Sequence, residues 1–406
     1  MRIALVGPTY PFRGGIAHYN TVLYRELSKR HEVFLVSLKR QYPRILFPGR
    51  TQRDESRDIL AVDNDPILTP LNPLTWRRAT ERLASLKPDL VVFQWWHPFF
   101  GPAFGSVARG LRRRGIRVAF LCHNGRAHER SRIDDLLAGY ALRAADAFIA
   151  HSNEDASALR EAVPDTPITV SPHPSYDCFQ NASHPIGKSE ARGRIGVGED
   201  DEVLLFFGYV RRYKGLPVLL EAMPKLRHGK ARLLVVGEFY HGGDEARETV
   251  RDLGIADRVT FVDRYVANEE VAPYFVAADA VILPYRSASQ SGIVQIAYAF
   301  GRPVVATRVG GLPEVVDEGE TGFLCEPENP DALASAIDRI LDADRASMRG
   351  AIERGRDRFS WDRMVEVVEG IAGEADQTAA ASPRTEAPSS TASTTDASRG
   401  PTISAS

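Results

Sequence analysis

Apolar positions along this chain fall into two textures. Short runs rich in Val, Ile, Leu and Phe read as buried strands at residues 3–7, 32–38, 90–95, 117–122, 147–150 and 168–171, and again at 203–207, 231–237, 259–262, 280–284 and 304–307. Between them, apolar residues recur at three- and four-residue spacing. That spacing predicts helices over 16–29, 131–143, 216–226, 247–253, 269–277, 330–341 and 361–371. Repeated strand–helix units imply mainly parallel, doubly wound sheets.

The alternation is broken between 177 and 201, where Pro, Gly and charged residues show no period and read as a linker. The expected organisation is therefore two α/β domains, 1–180 and 181–360, then a final helix, 361–373. From 374 to 406 the chain is Ala, Ser, Thr, Pro and Gly with few large apolar residues, so a disordered tail is expected. A docking or modification segment is the functional alternative for that stretch. A length of 406 residues also favours two domains over one core.

Composition narrows the class. Charged residues make up 26% and hydrophobic residues 43%, as in a soluble globular protein. Apolar runs stay far below the roughly 20 residues needed to span a bilayer. The amino terminus has no signal-peptide pattern, so a cytoplasmic protein is expected. Cys122, Cys178 and Cys325 are scattered and suggest a reducing compartment without a disulfide frame. Cys122 and His123 could be taken for a nucleophile pair, but neighbours on a strand face opposite ways, so a buried structural thiol is the better reading.

The net charge of −2 hides an excess of seven cations over residues 1–180 and nine anions over the rest. A basic first half suits an acidic acceptor or an anionic membrane surface. Chance differences in loop composition explain it equally well. Arg109, Arg112, Arg113 and Arg114, at the end of an expected helix, are where a peripheral membrane contact would fall. Nothing in the pattern suggests nucleic-acid binding.

Candidate chemistry lies at strand ends. After the strand at 280–284 comes a polar loop ending in Gln290, Ser291, Gly292 and Ile293, which opens a helix. Free backbone N–H groups at such a start make an anion seat, and ligands of open α/β sheets bind at this edge. A second loop, Phe206 to Gly215, gathers Arg211, Arg212 and Lys214, cations suited to a diphosphate. A third, Val6 to Tyr19, carries Gly14 and Gly15 before a helix, without the G-x-G-x-x-G dinucleotide fingerprint. His123 follows the strand at 117–122, with His128 and Glu129 further along the same loop. No histidine pair has helix-face metal spacing, so no protein-bound metal is expected.

These loops, with Gly310-Gly311-Leu312-Pro313-Glu314 and Gly319 to Leu324, resemble the retaining glycosyltransferases of family 4 in order and spacing. The resemblance implies a GT-B fold: two Rossmann-like domains facing across a cleft, with the last helix crossing back onto the first. It implies a nucleotide-sugar co-substrate and no other cofactor. It also implies that Gly14, Gly15, Arg211, Lys214 and residues 290–293 bind the donor, that turns at Gly237 and Tyr265 clasp its base, and that His123 contacts the transferred sugar. His128 and Glu129 are candidates for sugar or acceptor hydroxyls.

The chain departs from the family pattern twice. Tyr209 stands where an arginine usually follows the glycine, so Arg211 or Arg212 is expected to replace it. Ala288 and Ile296 stand where many members carry two glutamates, the second of which binds ribose hydroxyls. Glu314 is another available carboxylate, unless it only serves a helix start.

The resulting expectation is a cytoplasmic, retaining hexosyltransferase using a UDP- or GDP-sugar. Its acceptor would be a lipid-linked sugar or surface glycan. A GT-B nucleotide-sugar epimerase and a degenerate nucleotide- or glycan-binding regulator are the alternatives.

Overall fold

The computed structural model describes residues 1–43, 51–54, 56, 61–124, 132–181 and 185–380, with side chains through Gly373. Its strands are β1 (Arg2–Val6), β2 (Glu32–Leu38), β3 (Asp65–Leu68), β4 (Leu90–Trp95), β5 (Arg117–Cys122), β6 (Ala147–Ala150), β7 (Ile168–Val170), β8 (Glu202–Phe207), β9 (Ala231–Val236), β10 (Val259–Val262), β11 (Ala280–Leu283), β12 (Val304–Thr307) and β13 (Gly322–Cys325). They form two sheets, in the orders β3-β2-β1-β4-β5-β6-β7 and β10-β9-β8-β11-β12-β13. Every pairing is parallel.

In each sheet the order reverses beside the first strand, at β1/β4 and at β8/β11. Crossover helices leave in opposite directions there, opening a crevice at the carboxyl ends of the strands. Both faces of each sheet are covered, which is why the strands read as apolar runs rather than alternating ones. Phe93, Phe104 and Phe120 fill one face of the first sheet, while Ile3, Leu5 and Leu121 fill the other. The terminal helix, Trp361–Ala380, buries Met364, Val365, Val368 and Ile371 against that second face. It thus crosses back onto the first domain, and it runs to Ala380, past the boundary expected at 373.

Other departures from the sequence pattern have local causes. β3 contains Pro66, which a central strand excludes but an edge strand tolerates. β13 is short and begins at a glycine. The stretch read as a linker holds the helix Lys188–Ile195, whose sequence lacks an apolar stripe. It is fixed instead through charge: Arg192 and Lys188 bond the buried Asp279 at 2.9 and 2.7 Å. Asp279 also accepts from the Val203 N–H, tying the helix to the start of β8.

Polar contacts across the cleft help set how the domains face each other, Glu314 and Asp54 among them. Glu314 accepts from the backbone N–H groups of Asn153 and Glu154, at 2.9 and 3.3 Å, and from the Asn153 side chain. It therefore charges the amino end of the first-domain helix Asn153–Ala162, a helix-terminus role and not a ligand-binding one. Asp54 of the first domain receives the Tyr265 hydroxyl at 3.0 Å and the Asn268 amide at 3.2 Å from the second, with His18 at 3.2 Å. The Asn268 N–H donates to Ser56 at 2.8 Å beside it.

Burial acts to raise the Asp54 carboxyl, but hydrogen bonds from His18 and Ser56 outweigh it and hold the group well below the usual carboxylate range. A depressed folded-state value stabilises above the unfolded value and loses that contribution as pH falls. We expect Asp54→Ala to cost about 3 kcal/mol at pH 7. The gap from the parent should narrow in denaturant unfolding at pH 4 and pH 3. A gap independent of pH would show that ionisation of Asp54 does not hold the domains together.

Candidate functional site

The loop after β11 opens a helix, as its pattern predicts. Ser291 caps the helix Gly292–Ala299, its hydroxyl accepting from the Ile293 N–H at 3.2 Å while Tyr285 lies 3.3 Å away. Gly310 and Gly311 close the floor: a Cβ on Gly310, which has φ +56°, would collide with the Ala288 carbonyl. From the other domain, Gly14 at φ +110° leads into the helix Gly15–Ser28, whose start has no side-chain cap. Two helix amino ends, one from each domain, thus meet at one cleft.

Tyr176 bridges them. Its hydroxyl donates to the Gly15 carbonyl at 2.9 Å, and a Cβ on Gly292 would lie 2.9 Å from its ring. Only glycine fits at 292 with the tyrosine in place.

Lys214 belongs to this seat. Its amine donates to the Phe207 carbonyl at 3.3 Å and packs against Gly208, where Ile293 approaches from the other side. Burial, with Arg211 adding repulsion, pushes it down to about 7. Arg211 itself is exposed, lying over the Tyr240 ring at 4.8 Å and the Tyr209 ring at 6.0 Å.

His123 ends β5 under the seat. Its Nε2 bonds Gln94 at 2.7 Å, and its ring packs on Tyr19 at 4.8 Å. His151 and His173, ending β6 and β7, continue the row with ring separations of 5.5 and 5.2 Å. His173 packs in turn on Tyr176 at 5.0 Å, linking the row to the bridge. Burial, then the other two histidines, pushes His123 well below its usual value. Burial takes His151 to about 4 and, with His151 nearby, His173 to about 3. The row is neutral at pH 7, so it supplies hydrogen bonds and shape rather than charge. His151 and His173 donate through Nδ1 to the carbonyls of Ser171 and Pro174.

The cleft thus unites Gly14, Gly15, His123, Lys214, Ser291, Gly292 and Ile293. Gln290 is half-buried beside the cap. Gly237 packs behind the seat, where a Cβ would collide with the Gly208 carbonyl, and Tyr265 is engaged with Asp54. His128 and Glu129 lie outside the described residues. Ala288 and Ile296 are buried among apolar neighbours.

Sequence reasoning missed Tyr176, which sits in an aperiodic stretch, and the pair Arg13–Glu238. Arg13 reaches across the cleft to Glu238 at 2.7 Å, and its guanidinium lies over Tyr209 at 5.5 Å and Tyr265 at 5.1 Å. The signals in the sequence were the position of Arg13 directly before Gly14 and that of Glu238 in the turn after Gly237. Of the aromatic run after β4, Trp95, Trp96 and Phe100 are core, whereas His97 is exposed and Phe99 half-buried, stacked on Tyr42 at 5.5 Å.

Two Rossmann-like domains with switch points facing one cleft define the GT-B class, and solved structures agree. Sucrose-phosphate synthase from Thermosynechococcus elongatus superposes with a TM-score of 0.70 at 24% identity, covering 94% of this chain and 100% of that one. Anabaena HepE in complex with UDP gives 0.69 at 19%, covering 94% and 100%. Family models for Glycosyltransferase Family 4 and Glycosyl transferases group 1 match residues 13–174 and 201–343. The chain belongs to the family 4 glycosyltransferases. Among relatives, a D-inositol 3-phosphate glycosyltransferase of Streptomyces scabiei is 35% identical over 237 residues, 54% of this chain and 52% of its own length. One of Corynebacterium diphtheriae is 32% identical over 247 residues, 57% and 56%. The chain spans about half the length of these curated relatives.

A diphosphate on the Lys214 amine should restore its full charge. At pH 8 the free amine is mostly neutral, so binding of UDP or GDP is expected to take up close to one proton, and less at pH 6. Calorimetry in two buffers of different ionisation enthalpy measures this. Uptake that persists in Lys214→Met would remove Lys214 from the site.

Proposed function

We propose that this chain is a retaining glycosyltransferase that moves a hexose from a UDP- or GDP-sugar to a hydroxyl of a lipid-linked or glycan acceptor. The observation that carries the proposal is the meeting, across one cleft, of the Lys214 amine, the amino end of Gly292–Ala299 and the Gly14-Gly15 loop. That arrangement suits a diphosphate leaving group, whose charge grows as the sugar–phosphate bond breaks. Anabaena HepE, similar in fold, was solved in complex with UDP and with UDP-glucose, and the relatives' names include inositol 3-phosphate.

On this reading the anomeric carbon–oxygen bond breaks toward the seat. The acceptor hydroxyl attacks from the same face and passes its proton to the departing phosphate oxygen. His123 and its neighbours shape the sugar pocket without adding charge. The nucleotide-sugar is a co-substrate, and the reading needs no other cofactor.

Transfer assays over UDP- and GDP-sugars with an acceptor panel test the reading. Lys214→Ala should lower kcat on the order of a hundredfold or more without loss of fold. His123→Ala should lower kcat more than it weakens binding of the free nucleoside diphosphate, which lacks the sugar. Nucleotide binding with no turnover on any acceptor would favour a regulator, and donor conversion without acceptor would favour an epimerase.

Membrane contact is part of the proposal, but at a different place from the one expected. Arg109 stacks on Tyr140 and donates to the Gly105 carbonyl, Arg114 donates to the Gly110 carbonyl, and Arg112 pairs with Asp146. These arginines mainly serve the helix end. The neighbouring helix, Arg132–Leu142, instead exposes Ile133, Leu136 and Tyr140 on one side, at 67%, 73% and 41%. No helix among the described residues is long and apolar enough to cross a membrane, so any contact made through them is peripheral. Vesicle sedimentation should show salt-sensitive binding to anionic liposomes that is lost in Ile133→Asp/Leu136→Asp. Binding to no vesicle, or binding unchanged in the double variant, would remove this membrane contact from the proposal.

A further inference from the structure

Tyr209, one of the two departures from the family pattern, lies beside a buried ion pair. Arg13 and Glu238 form an ion pair between the domains with side chains only 3% and 4% exposed. Withdrawing two charges from water is costly, and an apolar pair of similar volume often stabilises at least as well. Stability alone is therefore a weak reason for this pair.

Its location is specific. Tyr209 occupies the position of the motif arginine, and the Arg13 guanidinium lies over its ring. Arg211 of the same loop lies over that ring too, at 6.0 Å, so Tyr209 is approached by a cation from each domain, and the one from the first domain directly precedes Gly14. Glu238 ends β9, one strand over from β8. Lys214 and Ile293 both lie where a Gly208 side chain would be, and Gly237 packs on the Gly208 carbonyl. Strand spacing is about 4.8 Å, so Glu238 stands one step along the sheet from the diphosphate position. The next group of a nucleoside diphosphate in that direction is its ribose. Tyr209 and Tyr265, stacked at 6.2 Å, wall this end of the cleft.

We propose that Arg13 and Glu238 together read the donor nucleotide: Arg13 donates to the diphosphate, and Glu238 accepts from the ribose hydroxyls. The assignment rests on the nucleotide-sugar reading above. Both side chains turn outward from their mutual bond when the nucleotide enters, and each keeps a polar partner throughout. An arginine fork matches phosphate oxygens in a way a lysine does not, and a carboxylate takes hydroxyl donors that its amide replaces poorly.

Calorimetric titration of the intact chain with UDP and GDP is the first step, followed by the better nucleotide's nucleoside and its 2′,3′-dideoxy diphosphate. Arg13→Lys and Arg13→Ala should weaken diphosphate binding roughly ten- to a hundredfold while leaving nucleoside affinity unchanged. Glu238→Gln, nearly isosteric, should abolish the parent's preference for the ribose form over the dideoxy form. If the parent binds neither UDP nor GDP, the nucleotide-sugar reading fails and this assignment with it. If the parent binds and the variants keep its diphosphate-to-nucleoside and ribose-to-dideoxy ratios, the assignment alone is overturned and the pair is a clamp between domains. A lowered melting temperature with parental ratios overturns it in the same way.

Discussion

The polar groups that cross the cleft are largely withdrawn from water, and burial makes their pairing obligatory. A carboxylate such as Asp54 or a guanidinium such as Arg13 is tolerated out of water only if the opposite domain supplies its partners. The two sheets therefore cannot slide freely. Asp54 against Tyr265 and Asn268, Glu314 against the start of Asn153–Ala162, and Tyr176 against Gly15 and Gly292 together fix their relation. The site depends on that relation, because its donors come from both sides. The Gly14-Gly15 loop is useful to an anion at Ser291–Ile293 only when the domains face each other as they do here.

The electrostatics of the cleft follow from the same burial. Lys214, held near 7, balances between charged and neutral forms without a ligand, and so can gain charge when an anion arrives. The three histidines below it are driven neutral, two of them to about 4 and 3, and do not compete for that anion. Positive potential is thereby concentrated at the helix amino ends and the amine. Arg211 is solvated over Tyr240 and contributes at a distance. A cleft built this way suits an anion better than a neutral group.

Much of this was legible in the chain because buried parallel strands leave a direct signature. Apolar runs such as 90–95 and 117–122 became β4 and β5, and the Ser291-Gly292 loop became a capped helix start as read. Illegible features were those decided by distant partners. β3 carries Pro66 and is a strand only because it lies at the sheet edge beside β2. Lys188–Ile195 is a helix because Asp279, far away in sequence, collects Lys188 and Arg192. Arg211 was a better phosphate cation than Arg13 on spacing alone. Only the fold shows that Arg13 crosses from the first domain to the Tyr209 ring, which Arg211 reaches from the second. Local pattern cannot rank two arginines that approach one loop from different domains.

That exchange of residues between domains changes what closure does. An arginine at position 209 would sit beside Lys214 whether the cleft was open or shut, because both belong to the second domain. Arg13 belongs to the first, and it reaches Tyr209 and Glu238 only when the domains are together. On the proposed assignment, the full charge complement for a diphosphate is assembled by closure and dispersed by opening. An open cleft would hold the donor through Lys214 and the helix end alone. Binding energy released on closing would then be spent on completing the site around the leaving group, which couples domain position to bond breaking and excludes water at the same step. The tyrosine in the motif then marks a transfer of function to the facing domain.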